Sequence, residues 1–204
     1  RLLHQIPEVG FEEYKTSEFC INYVKKLGLK PIQSTEMGTG FYVDYGFGKS
    51  KNCLAIRCDL DALPIQEKNK FDFISRHKGV SHACGHDVHM TLLLGILSFL
   101  AKNKIKIDGT IRFVFQPAEE IAPGGAEKLI NAGVLNGVDH IIGAHVQPKL
   151  KPSQIGIKSG PMAAIVELVD FTIEGPGGHT SRPADTVDLV AVLSLLVSNL
   201  EKKI

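Results

Sequence analysis

Ser81-His-Ala-Cys-Gly-His-Asp-Val-His89 is a loop dense in polar side chains that runs directly into an apolar, helix-like segment. Its nine positions hold one thiol, three imidazoles and one carboxylate. The segment 88–102 that follows is rich in leucine and predicts a buried helix. Thiolate, imidazole and carboxylate groups are metal ligands, so this loop indicates a metal site at the mouth of that helix.

Two further polar groups, 116–120 and 143–146, follow or end apolar runs that predict buried strands. Strands are predicted at 40–46, 53–60, 110–115 and 138–146, and helices at 12–27, 88–102 and 126–132. The alternation of strand and helix predicts an α/β domain with a central sheet. Ligands of such sheets gather at the strand ends, where the polar groups fall.

The composition changes near residue 150, where the segment 147–153 is typical of a connector. A β-rich run at 165–174 comes next, then a glycine-rich turn at 175–179 and a helix over 185–204. The chain begins at Arg1 rather than Met and ends inside a helix-like run, so we expect a fragment of a longer protein. We predict a first domain at 1–158, itself incomplete, and the beginning of a second domain at 159–204.

Composition excludes several classes of protein. Of the 204 residues, 44% are hydrophobic, and the formal net charge of +1 gives no basic face for nucleic acid. The spacing of the four cysteines matches neither a disulfide framework nor a zinc knuckle. Reduced cysteines, with no apolar stretch of about 18 or more residues and no signal peptide, predict a cytoplasmic protein without membrane contact.

Asp59 and Asp61 leave the end of an apolar strand. They fit a plain strand terminus with a turn, or carboxylates that orient a metal-binding histidine by accepting its ring N–H. We select Asp61 for the second role.

Cys84 and His86 flank Gly85, which predicts a loop in which both side chains converge. A thiolate and an imidazole suit zinc, and less selectively manganese, cobalt or nickel. Cys84 alone would fit a buried structural thiol, and its neighbours favour the metal role.

Glu119 and Glu120 are adjacent carboxylates after a strand and a proline. They fit a solvated loop, or a pair in which one binds metal and the other takes a proton from a metal-activated water. His145, near the end of the last predicted strand, would alone be a structural histidine. As the third converging element it becomes a candidate ligand.

Together these motifs resemble the metal-dependent amidohydrolase and peptidase family that includes N-acyl-L-amino acid amidohydrolases (aminoacylases), hippurate hydrolases and auxin-conjugate hydrolases. The resemblance spans the chain through the motifs at 4–13, 57–64, 81–89, 116–120 and 175–179. It implies a central mixed sheet flanked by helices, as in zinc peptidases, followed by the start of a smaller α+β lid domain.

The resemblance also implies a role for each matching residue. The metal ligands would be Cys84, His86, Glu120 and His145, holding two divalent ions, with one further histidine outside this chain. Glu119 would be the general base and Asp61 would support the site. His179, in the lid, would reach the active site of the partner in a homodimer and polarise the scissile carbonyl.

The function expected from the sequence is metal-dependent hydrolysis of an amide bond. The expected substrate is a small molecule, an N-acyl amino acid. A thiol hydrolase that uses Cys84 as nucleophile is a second possibility. A non-catalytic metal-binding or dimerisation module is a third.

Overall fold

The computed structural model describes residues 1–46, 48–163 and 169–200. The chain divides into two compact units, Arg1–Gly156 and Ile157–Ile204. Across the described residues, no helix has the length and apolar character needed to cross a bilayer.

A mixed sheet forms the centre of the first unit. Its strands are β1 (Phe41–Tyr45), β2 (Cys53–Asp59), β3 (Thr110–Gln116) and β4 (His140–Gly143). They lie in the order β1-β3-β2-β4, with β2 parallel to both β3 and β4 and β1 antiparallel to β3. The predicted central mixed sheet flanked by helices is confirmed.

Helices cover both faces of this sheet. They are α1 (Tyr14–Lys26), α2 (His86–Lys102) and α3 (Ala126–Asn131). Along β3, Phe113 and Phe115 pack with α1 and α2, whereas Val114 packs with Leu129 of α3. Since successive side chains of a strand point to opposite faces, this alternation fixes which helix lies on which side.

The second unit contains a short 3-10 helix, Pro183–Asp185, and α4 (Leu189–Leu200). The prediction of a β-rich run at 165–174 is wrong for residues 169–174, which form no strand. Residues 169–174 have no partner strand among the described residues of this unit, and a strand is not stable without one. Residues 165–168 lie outside the described ranges.

Candidate metal centre

The candidate site lies at one edge of the sheet. Because β2, β3 and β4 are parallel, their carboxyl ends meet there, and the segments that follow carry Asp61, Glu119, Glu120 and His145. The first residue of α2, His86, lies at the same edge, within 4 Å of three of these carboxylate side chains. Residues far apart in the sequence therefore meet at one place.

Gly85 determines how Cys84 and His86 converge. It adopts φ +84°, a left-handed conformation that favours glycine, and it is the residue before the first turn of α2. The helix therefore begins at His86, two residues earlier than predicted, and only Cys84 lies in the loop. The turn brings ligand atoms of Cys84, His86 and His145 to within 4.8 Å of one another.

His86 and His145 present the same ring nitrogen to this space. In each ring Nδ1–H donates to a backbone carbonyl, that of Asp61 at 2.8 Å for His86 and that of Val146 at 2.7 Å for His145. Each Nε2 therefore carries no hydrogen and has a lone pair that can bind a metal. A second partner that fixes the tautomer in this way is the usual support of a metal-binding histidine.

Asp61 orients His86 differently from the prediction. The short bond to His86 comes from the backbone carbonyl, and the carboxylate Oδ1 lies 3.4 Å from Nδ1. Oδ2 of the same carboxylate accepts the backbone N–H of Glu120 at 3.0 Å. The side chain of Asp61 therefore positions the glutamate loop, while its main chain positions the histidine.

Glu13 holds the other end of this loop. Its buried carboxylate accepts the backbone N–H of Ala118 at 2.7 Å and the hydroxyl of Thr39 at 2.6 Å. Ala118 itself has φ +47°, a strained conformation for a residue with a side chain. The two carboxylates of Glu13 and Asp61 thus fix the peptide groups on both sides of Glu119.

Glu119 and Glu120 differ in exposure. The Glu120 side chain is 21% exposed and its Oε1 lies 3.6 Å from His86 Nε2, whereas Glu119 is 39% exposed with Oε2 at 3.9 Å. Burial, and then the negative charge of Glu120, raises the pKa of Glu119. The more buried carboxylate suits a ligand, and the more open one suits proton transfer to and from solvent or substrate.

Among the described residues, three buried polar atoms at this centre have no hydrogen-bond partner: His86 Nε2, Glu120 Oε1 and Asp61 Oδ1. Nearly all buried polar atoms in proteins are hydrogen-bonded, so each atom without a partner needs an explanation. A divalent cation between a lone pair on nitrogen and a carboxylate oxygen provides one. The residues present therefore fit a metal ion of the zinc type.

Cys84 completes the set of soft donors. Its Sγ lies 3.3 Å from His145 Nε2. Burial, and then the neighbouring Glu120, raises the pKa of the Cys84 thiol to about 12. The thiol is therefore protonated at neutral pH unless a cation displaces its proton.

His89 belongs to the polar stretch 81–89 of the sequence and was not among the predicted ligands or catalytic residues. It lies one turn after His86 on α2 and is 3% exposed. Asp59, His86 and His89 also have ligand atoms within 4.8 Å of one another. However, Nδ1 of His89 contacts Asp59 Oδ1 at 2.7 Å and Nε2 accepts the N–H of Val146 at 3.0 Å, so both nitrogens are engaged.

His179 belongs to the second unit. It lies two residues after Gly177, which has φ +68°, and its Nδ1 accepts the N–H of Ser181 at 3.2 Å. The ring is exposed, and its predicted role stays a prediction.

The chain is similar to curated proteins named as an amidohydrolase and as a carboxypeptidase. It is 42% identical to an N-acyl-L-amino acid amidohydrolase of Geobacillus stearothermophilus, over 98% of this chain and 54% of that protein. It is 38% identical to thermostable carboxypeptidase 1 of Saccharolobus solfataricus, over 98% of this chain and 51% of that protein. The chain thus spans about half the length of the curated relatives it matches.

Among solved structures, the chain resembles the Bacillus subtilis YXEP protein, described as a dinuclear metal binding peptidase. The TM-score is 0.73 and the identity 41%, over 78% of this chain and 44% of the other. Residues 55–203 match the model of peptidase family M20/M25/M40, and this range contains every predicted ligand and catalytic residue. The chain therefore belongs to peptidase family M20/M25/M40.

Proposed function

We propose that this chain carries a dinuclear metal centre that hydrolyses the amide bond of N-acyl amino acids. The observation that carries the proposal is the convergence of Cys84, His86, Glu120 and His145 at one edge of the sheet, where His86 Nε2 has no hydrogen-bond partner and His145 Nε2 faces the Cys84 thiol. These four side chains would be the ligands this chain supplies. The ions would be zinc, manganese, cobalt or nickel.

Divalent ions bound here would lower the pKa of a water molecule and polarise the scissile carbonyl. Glu119 would accept the proton of the attacking water and deliver it to the leaving amine nitrogen. Its more open position and raised pKa support this assignment over Glu120. Asp61 would hold both the ring of His86 and the peptide group of Glu120 in place.

The substrate class follows from the relatives. One is named for the hydrolysis of N-acyl-L-amino acids and another for carboxypeptidase activity. Both reactions cleave an amide bond beside a free carboxylate. We propose the acyl amino acid as substrate, and we propose that His179 acts on the scissile carbonyl across a homodimer formed through the second unit.

Metal analysis combined with hydrolysis assays tests this function. The natural full-length protein would be stripped of metal with a chelator and reloaded with manganese or zinc. Each form would be assayed on acetyl, benzoyl and indole-acetyl amino acids, and on a dipeptide with a free carboxylate. We expect two ions per chain, with hydrolysis that disappears on chelation and returns with metal. The function is wrong if hydrolysis is unchanged when the bound metal has been removed.

A matched pair of variants controls for general damage to β4. His145→Asn removes a proposed ligand, and His140→Asn changes an exposed histidine five residues earlier on the same segment. We expect the first to lose metal and activity and the second to keep both.

One contact favours a second candidate function. The 3.3 Å distance between Cys84 Sγ and His145 Nε2 is that of a thiol with its general base in a Cys–His hydrolase. A thiol nucleophile needs a lowered pKa, whereas burial raises that of Cys84 to about 12. A thiol enzyme would survive chelation and be inactivated by iodoacetamide, so the same assay separates the two. Metal binding without hydrolysis would instead identify a non-catalytic module.

A further inference from the structure

His89 is a buried imidazole that neither the proposed ligand set nor the proposed proton transfer uses. Its Nδ1 lies 2.7 Å from Asp59 Oδ1, and its Nε2 lies 3.0 Å from the backbone nitrogen of Val146. The ring is 3% exposed, and Asp59 is 1% exposed. Because both ring nitrogens are hydrogen-bonded to protein groups, His89 can fix the positions of those groups.

The hydrogen positions on this ring follow from its partners. A backbone N–H can only donate, so Nε2 of His89 must be the acceptor. The hydrogen of the neutral ring is then on Nδ1, from which it donates to the Asp59 carboxylate. This is the same tautomer as that of His86 and His145, but in His89 the Nε2 lone pair is already occupied.

The peptide group that His89 holds is the one that joins His145 to Val146. The carbonyl of Val146 in turn accepts the Nδ1–H of His145 at 2.7 Å. Both backbone groups of Val146 are therefore used, one to dock on His89 and the other to orient the ring of His145. The Val146 side chain also packs closely over Gly85, at the start of α2.

His145 lies beyond the last paired residue of β4, Gly143, and its ring contacts Cys84 Sγ at 3.3 Å and the His89 ring at a centroid distance of 4.6 Å. Every residue of β4 and both Ala144 and His145 are exposed, and Val146 is the first half-buried residue after the strand. The bond from Val146 to the buried ring of His89 therefore anchors the backbone directly after His145, where the pairing of β4 with β2 has ended.

We propose that His89 is a positioning residue that aims His145 at the metal centre by holding the Val146 peptide, with Asp59 fixing the ring that does so. This inference rests on the proposed metal-binding role of His145. It assigns His89 to the support of the site and excludes it from the ligands.

Two substitutions separate the two contacts of His89. An Asn amide reaches about as far as Nδ1, so His89→Asn keeps a donor for Asp59 and loses the acceptor for Val146. A Gln amide reaches about as far as Nε2, so His89→Gln keeps the acceptor for Val146 and loses the donor for Asp59. His140→Gln, on the exposed start of β4, is the control.

The measurement is a cobalt(II) titration of the natural full-length protein, followed by absorption. The thiolate-to-cobalt band reports Cys84, and the ligand-field bands report the number of ligands. We expect His89→Asn to weaken cobalt binding by about 10–100-fold, as loss of outer support does elsewhere, and to alter the ligand-field bands. We expect His89→Gln, which loses only the contact with Asp59, to weaken binding much less than His89→Asn does, and His140→Gln to bind as the unsubstituted protein does.

If both His89 variants bind cobalt equally well, or are weakened equally, the Val146 bond does not position His145 and the inference is overturned. Nitrogen-15 spectra of the unsubstituted, metal-free protein test it without a variant: we expect an Nδ1–H tautomer for His89, and an Nε2–H tautomer would refute it. If the unsubstituted protein binds no cobalt, the proposed function fails, and the tautomer still reports on the His89–Val146 bond.

Discussion

At the residue scale, the assignment of the two adjacent glutamates gives the sharpest prediction. Glu119→Ala should leave the metal content unchanged, since Glu120 is the proposed ligand, and reduce turnover by about 10²–10⁴-fold, as loss of a general base does. Metal analysis and steady-state kinetics on the same preparation measure both.

Glu120→Ala is the matched variant and should lose metal as well as turnover. A Glu119→Ala protein whose turnover stays within about tenfold of the original would show that Glu119 is not the base.

Glu13 gives a prediction for stability against pH. Burial raises the pKa of this carboxyl above its ordinary value of 4.5. The folded chain therefore binds the proton more tightly than the unfolded chain does. Its contribution to stability is complete below pH 4.5 and is lost as pH rises through the raised folded pKa.

Glu13→Gln removes this titration while keeping an oxygen for the N–H of Ala118. The unfolding free energy of the original protein relative to Glu13→Gln should fall as pH rises from 4 towards neutrality, as measured by urea unfolding at several pH values. A difference that grows over this range would contradict the account of Glu13.

At the scale of the elements, Gly85 links the first turn of α2 to the segment after β4. A Cβ at this position would lie 2.5 Å from Val146 Cγ2, and φ is +84°. Gly85→Ala should cost about 1–2 kcal/mol for the left-handed conformation alone, and it should weaken metal binding by displacing Val146. Urea unfolding and cobalt titration measure the two effects.

Gly95→Ala, in the middle of α2 with open space around its Cα, is the control. It should not weaken cobalt binding. Equal cobalt affinity in Gly85→Ala and the original protein would show that the contact with Val146 is not needed at the site.

Helix α2 also supports the core. Leu97 is fully buried in it, whereas Leu92 is 48% exposed. Leu97→Ala should lower the free energy of unfolding by about 2–5 kcal/mol, and Leu92→Ala by no more than about 0.5 kcal/mol. Similar losses in the two variants would mean that the exposed face of α2 is covered in solution.

Strands and the position of the site could be predicted from the sequence, whereas the long-range hydrogen bonds could not. Apolar runs that end in polar groups predicted β2, β3 and β4, because such runs are local signals, and the alternation of strand and helix predicted the edge where Asp61, Glu120 and His145 meet. The prediction that β4 is buried is wrong, since all four of its residues are exposed. The bonds of His89 and Glu13 join residues 30 and 105 positions apart, and nothing near either residue in the sequence indicates the partner. The start of α2 was predicted two residues late, because Gly85 was interpreted as part of a longer loop.

At the scale of the whole molecule, metal binding should be linked to stability. The proposed ligands follow two strands, β3 and β4, or lie in and just before α2, so they meet only in the folded chain, and a metal that binds them favours the folded state. At a free metal concentration about 100 times the dissociation constant, the expected gain is about 2.7 kcal/mol. Thermal unfolding with added zinc or with a chelator measures it, and the gain should vanish in His145→Asn and persist in His140→Asn.

The most direct test is a crystal structure of the zinc-loaded protein with anomalous scattering recorded at the zinc edge. We expect two peaks between Cys84, His86, Glu120 and His145, one of them about 2.3 Å from Cys84 Sγ and about 2.0–2.1 Å from a histidine Nε2. Peaks at other residues, or none at saturating zinc, would contradict the proposed centre.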